Sequence, residues 1–175
     1  GAGISGLFIA NLFKENQNYH ITIYEKSTSI NLDEGYGIQL STNSIKLLNG
    51  IGFDNFENKD KFHPDKIDFY SINSEKKICD LNISDFNSNE CKYTTLKRSK
   101  LIEFLKNRLG NNIIKYDHSI KKIEKNDDEI NLTFNESNKA ICDHLIISDG
   151  VFSKGKLLIS NNKIKPFYNN SIAVR

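Results

Sequence analysis

The chain has 175 residues, enough for one domain with a real core, and its 24 Lys and Arg against 22 Asp and Glu leave a formal net charge of +2. That balance excludes a nucleic-acid or membrane role driven by bulk charge. The sequence shows neither a signal-peptide pattern nor an apolar run of about 18 residues, so no transmembrane segment is expected.

The first stretch is "GAGISG", with Gly1, Gly3 and Gly6 at the spacing of a G-x-G-x-x-G phosphate turn. In such a turn the first glycine permits the tight bend, the second lets the backbone approach a pyrophosphate, and the third lets the following helix pack closely. The helix N-terminus then aims N–H groups and a partial positive charge at the phosphates. Ile4, Leu7, Phe8 and Leu12 fall on one helical face, which predicts that helix. "HITIYE" reads as a strand ending at Glu25, 19 residues after Gly6. A dinucleotide fold places at that point the carboxylate that accepts hydrogen bonds from ribose hydroxyls. Alone, Glu25 would be a solvated charge at a strand end.

A polar loop leads to "IQLSTNSIKLLNGIGF", an approach segment and a helix that Ser41, Thr42 or Asn43 can cap. Ile45, Leu48 and Ile51 form its apolar stripe, and Gly50 or Gly52 stops it. "DKIDFYSI" and "KKICDLNI" alternate as two half-buried strands, and "YTTL" reads as a third. "RSKLIEFLKNRLG" is the clearest helix, with Leu101, Ile102, Leu105 and Leu109 on one face and Gly110 at its end. "SIKKIEK", "EINLTFN" and "KAICDH" form a β-meander where a plain dinucleotide fold would have a crossover helix. "LIIS" is an unalternating apolar run suited to a strand buried on both faces, and it runs into Asp149-Gly150.

His20, His63, His118 and His144 lack metal-ligand spacing and read as surface or packing residues, so no metal site is expected. Cys79, Cys91 and Cys142 form no C-x-x-C and read as reduced thiols of a cytoplasmic protein. Only three of the basic residues are Arg, in a chain rich in Lys, Ile and Asn. An Arg is therefore more informative than a scattered Lys. The turn has no strand before it and the chain stops within the strand-like "SIAVR", which reads as an internal piece of a longer protein.

Four stretches, "GAGISG", "EGYGIQLSTNSIKLLNGIG", "LKRSKLIEFL" and "LIISDGVFSKGK", together resemble the FAD-dependent aromatic hydroxylases, the single-component flavoprotein monooxygenases of the ubiquinone-biosynthesis and salicylate hydroxylase type. The second stretch resembles the family's G-x-G-I-Q-L-S-x-N segment. "SDG" resembles its A-D-G motif, with Ser148 in place of the usual Ala, and Lys156 stands where the family often has Arg.

The resemblance implies an α/β chain of the glutathione-reductase type. This is a Rossmann-like FAD-binding fold with a β-meander crossover and part of a second, substrate-domain sheet. In domain terms, 1–175 would be an incomplete FAD-binding domain without its first strand. Substrate-domain strands would be inserted at about 65–96, and the substrate domain would start at about 160–175. Gly1, Gly3, Ser5 and Gly6 would cradle the FAD pyrophosphate, and Glu25 would hold the adenosine ribose with Lys26 beside it. Arg98 matches the family arginine that reaches the FAD phosphates and ribitol; a planar guanidinium suits bidentate phosphate contact. Ile120 matches the meander position that contacts adenine through its backbone. Asp149 matches the D-G aspartate linked to FAD and the reduced nicotinamide, although turn chemistry explains an Asp-Gly pair equally well. No catalytic residue is assigned, because the flavin carries the oxygen chemistry in this family.

The implied activity of the longer protein is hydroxylation of a small aromatic substrate with NAD(P)H and O2, in ubiquinone biosynthesis or aromatic degradation; the 175-residue piece by itself is expected to be inactive. Alternatives are another flavin oxidoreductase on the same scaffold, a prenyl reductase or a halogenase, and a non-catalytic FAD-binding fragment. Peripheral membrane contact and the oligomeric state stay open at this point.

Overall fold

A computed structural model describes residues 1–32, 36–110, 112–135, 138–160 and 167–170. It is mixed α/β and divides into two compact units, one of Gly1–Asn31 with Leu105–Arg175, the other of Leu32–Phe104. In chain order the elements are α1 (Ile4–Lys14), β1 (Ile23–Tyr24), β2 (Gly37–Leu40), α2 (Thr42–Asn49), β3 (Lys66–Tyr70), β4 (Lys77–Asn82), β5 (Thr94–Lys97), α3 (Arg98–Leu109), β6 (Ile114–Lys115), β7 (Lys122–Lys125), β8 (Ile130–Thr133), β9 (Lys139–Cys142) and α4 (Lys154–Ser160). Short 3-10 turns connect some of them. Among the described residues the strands form four separate small sheets.

In the first unit, β1 pairs in parallel with β6, Ile23 opposite Ile114 and Tyr24 opposite Lys115. The strand expected over "HITIYE" is thus two residues long, because β6, which the sequence pattern did not suggest, is its only described neighbour and is just as short. The meander is as expected, with Ile123 opposite Leu132 and Leu132 opposite Ala140. The expected strand "LIIS" is not one: no described segment pairs with residues 145–148, and without a partner's backbone an apolar run forms no ladder.

The face that α1 buries also differs from the expected Ile4, Leu7, Phe8 and Leu12. Leu7 is buried as expected, but it is joined by Ala10 and Asn11, while Leu12 is 49% exposed. The reason is polar. The Asn11 Nδ2 donates to the Leu7 carbonyl at 2.9 Å and to the Leu105 carbonyl at 2.8 Å, which turns that side of α1 toward the end of α3. Leu7 and Leu105 are fully buried there, each side chain worth about 1.5–3 kcal/mol of apolar burial.

The second unit holds the antiparallel pair β2–β5 and the hairpin β3–β4. Its core is the stripe read from the sequence, Ile45, Leu48 and Ile51, joined by Phe53, Ile83, Leu96, Leu101 and Ile102, all buried. Phe104 meets Phe53 and Phe56 edge-on with ring centroids 5.3 and 5.5 Å away. Gly50 caps α2, and Gly52 takes a left-handed φ of 82° just beyond it.

Candidate functional site

The glycine turn is built by close backbone approach. A Cβ on Gly6 would stand 2.0 Å from the Gly1 carbonyl oxygen, and one on Gly1 would stand 2.5 Å from the Ser148 carbonyl oxygen. No side chain fits at either point, so the turn, the start of α1 and residues 148–149 lie directly on one another. Gly3 is different. It is the N-cap of α1, and a Cβ there would meet nothing within 4 Å. Gly3 also lines an open, mainly apolar cavity of about 810 Å³, with Ile4, Ile9 and Ile146 beside the polar Ser5 and Asp149. The first-turn amides of α1 have no intrahelical acceptor, and that turn carries no acidic residue.

Glu25 sits at the end of β1 and grips the turn. Its Oε2 accepts the Ala2 N–H at 2.7 Å, and its Oε1 accepts the Ser27 N–H at 2.9 Å. Burial pushes the Glu25 carboxyl up, but the hydrogen bonds from Ala2 and Ser27 outweigh it and hold the carboxyl below its ordinary value. Both oxygens keep lone pairs for further donors, since a carboxylate offers about four acceptor positions. The strand end is fixed from its other side as well. Glu25 donates its N–H to the Lys115 carbonyl at 2.9 Å and accepts the His118 N–H at 2.8 Å. The His118 ring packs against Tyr24 and Phe134, so this histidine is the packing residue read from the sequence. Lys26 is exposed.

Asp149 stands beside Gly1 and ahead of α4. Its Oδ2 accepts the Gly155 N–H at 2.9 Å, and Gly150 follows with a left-handed φ of 87°. Burial raises the Asp149 carboxyl, but the Ser153 hydroxyl and the nearby amides more than offset it and hold the carboxyl low. Oδ1 is buried and makes no well-formed hydrogen bond. Asp149 therefore has a structural task, supporting the entry to α4, and one oxygen left over.

Ile120 is half-buried and precedes β7, ahead of the first meander bond from the Lys121 N–H to the Thr133 carbonyl at 2.8 Å. Arg98 opens α3 in the second unit. Its N–H donates to the Tyr36 carbonyl at 3.0 Å, and its guanidinium carbon lies 5.7 Å from the Tyr36 ring centroid. The first unit thus brings together Gly1, Gly3, Ser5, Gly6, Glu25 and Asp149, while Arg98 belongs to the other.

The sequence reading missed α4 and the amides of Ala2 and Ser27. A signal for α4 was available: Ser153 accepts the Lys156 N–H at 3.0 Å, the N-cap pattern of a serine just before a helix. The Ala2 amide carries no side-chain signal. Among the described residues no group of three His, Cys, Asp or Glu is placed to hold a metal, and no helix is long and apolar enough to cross a membrane.

In fold, the chain is similar to flavin monooxygenases. It superposes on CtdE in complex with FAD and a substrate with a TM-score of 0.80 and 15% identity, covering 97% of this chain and 41% of that one. On 2,6-dihydroxypyridine-3-hydroxylase from Arthrobacter nicotinovorans the TM-score is 0.77 at 16% identity, over 97% of this chain and 40% of that one. In sequence it is 24% identical over 156 residues to 6-hydroxynicotinate 3-monooxygenase of Pseudomonas fluorescens, 88% of this chain and 40% of the relative. The chain thus spans about two fifths of the length of these proteins. No family model matches it. The matches support the FAD-dependent aromatic hydroxylase family that the four motifs resemble.

Proposed function

We propose that this chain is the FAD-binding part of a monooxygenase that uses NAD(P)H and O2 to hydroxylate a small aromatic substrate. The fold would be Rossmann-like, of the glutathione-reductase type, with the β-meander as its crossover. Residues about 65–96 would belong to a substrate-domain sheet, and the substrate domain would resume at about 160. The observation that carries the reading is the Glu25 carboxylate bonded to the Ala2 amide, beside a glycine turn whose Gly3 is unobstructed and lines a cavity.

The residues fit a bound dinucleotide. The free side of Gly3 leaves room for a phosphate against the backbone, and the α1 N-terminus favours its charge. Gly1, Ser5 and Gly6 complete that cradle. Glu25, already ionised by its two amide partners, would accept the ribose hydroxyls, with Lys26 next to it. Ile120 would present its backbone to adenine, and Arg98 would supply a bidentate cation. Asp149 has a buried oxygen available to a donor on the cofactor.

When bound, FAD supplies the redox and oxygen-transfer chemistry, and the chain's own residues bind it, orient it and exclude water. The reading is tested in the longer protein to which this part would belong, by following NAD(P)H and O2 consumption across a panel of phenols and hydroxylated pyridines. Oxygen found in an aromatic product supports it. Oxidation of NAD(P)H without O2, with a double bond saturated, would put a reductase in its place.

A further inference from the structure

We propose that Asn11 is a positioning residue for the glycine turn, its amide setting the rotation of α1 and so the direction in which that helix presents its first N–H groups to the phosphates of FAD; this rests on the reading above. Leu7, Asn11 and Lys14 follow one another at helical spacing and form one stripe of α1. Two of them are tied to the end of α3. The Asn11 Nδ2 donates to the Leu105 carbonyl at 2.8 Å, and the Lys14 Nζ donates to the Arg108 carbonyl. Leu7, the third, is fully buried. The Asn11 Nδ2 also donates to the Leu7 carbonyl at 2.9 Å, one turn back, which fixes the side chain against its own helix.

Hydrophobicity alone does not choose this face. Ile4, Phe8 and Leu12 make a competing stripe of larger apolar side chains, yet Leu12 stays exposed while Asn11 is 2% exposed. The Asn11 Oδ1 is buried and has no hydrogen-bond partner among the described residues. An unpaired buried acceptor lowers stability, so an apolar residue would pack here at less cost. What the amide adds is direction, since a buried polar group is satisfied in one arrangement only. Direction matters because the turn has no slack. A Cβ on Gly6 would stand 2.0 Å from the Gly1 carbonyl oxygen, so α1 cannot rotate about its axis without moving the backbone of the turn. The first amides of the helix move with it, and their attraction for an anion is confined to that first turn.

The test is titration of the protein with ADP, which carries the phosphates, and with adenosine, which does not. Asn11→Ala removes both donors and leaves the Leu12 side free to turn inward. ADP should then bind about three- to ten-fold more weakly and adenosine as before. Leu12→Lys removes the competing apolar group. By itself it should change neither affinity, and added to Asn11→Ala it should restore most of the ADP affinity, which a general loss of packing would not allow. Asn11→Gln carries the amide one methylene further out and should show the same split at smaller size; it serves in place of Asn11→Ala should that variant not fold. Equal losses for ADP and adenosine, or no restoration by Leu12→Lys, would overturn the proposal. If the wild-type protein binds FAD and ADP but Asn11→Ala binds ADP as tightly, only this inference fails. If the wild-type protein takes up neither, the functional reading fails and this inference with it.

Discussion

The Ala2 amide donates to the Glu25 carboxylate at 2.7 Å, joining two residues 23 positions apart in sequence. One bond thus ties the glycine turn to the end of β1 and leaves the carboxylate charged, oriented and half-buried. Removing the carboxylate leaves an amide unpaired and takes away the acceptor for a ribose. Glu25→Ala is expected to weaken FAD binding by about 1–3 kcal/mol, and Arg98→Ala by at least as much because its bond is charge-assisted. Fluorescence titration with FAD measures both; unchanged affinity in both variants would reduce these residues to surface charges.

The glycines separate folding from binding. Gly6→Ala forces a Cβ to 2.0 Å from a backbone oxygen that cannot step aside, so it should destabilise the fold by about 1–3 kcal/mol or more. Gly3→Ala meets nothing, and at an N-cap it should cost at most about 1 kcal/mol of stability. Its methyl group nevertheless occupies the open side of the turn, so FAD affinity should fall while the melting temperature barely moves. Thermal melts run beside titrations distinguish the two variants; equal stability losses would contradict the geometry.

Much of this architecture was legible because local periodicity announces it. The stripe of α3, the strands β3 and β4, and the three short runs of the meander each repeat often enough to be read. The half-buried face expected of β3 and β4 is absent, however: every residue of β4 and all of β3 but Ile67 are exposed, because nothing packs on that hairpin among the described residues. β6 was not, since two residues have no period and pair only through tertiary placement. The face of α1 was misread for a related reason. Hydrophobicity favours Leu12 inward, yet the Asn11 amide takes two buried carbonyls and wins that side. At the site, Glu25 was legible from its distance to Gly6, but its partner was not, because the Ala2 amide is a backbone group. Asp149 was read as a turn former or a cofactor ligand, and its bond to the Gly155 amide required knowing that α4 exists.

Acid should loosen this corner of the protein. A carboxyl whose folded pKa lies below its unfolded value contributes stability in full above the unfolded value, and loses it as pH falls through the folded one. Glu25 and Asp149 both carry that sign, below ordinary values of 4.5 and 3.8. Stability should therefore hold from neutral pH down to that range and decline beneath it. Glu25→Gln should flatten the decline in urea midpoints measured from neutral to acidic pH. Parallel curves for the two proteins would show that the Glu25 bonds add nothing.

Cofactor identity is the most direct test of the account. The protein is purified, offered FAD, freed of unbound nucleotide and heated, and the released cofactor is identified by chromatography. The account predicts a yellow protein that releases FAD. Recovery of NAD, or of no nucleotide at all, would contradict it.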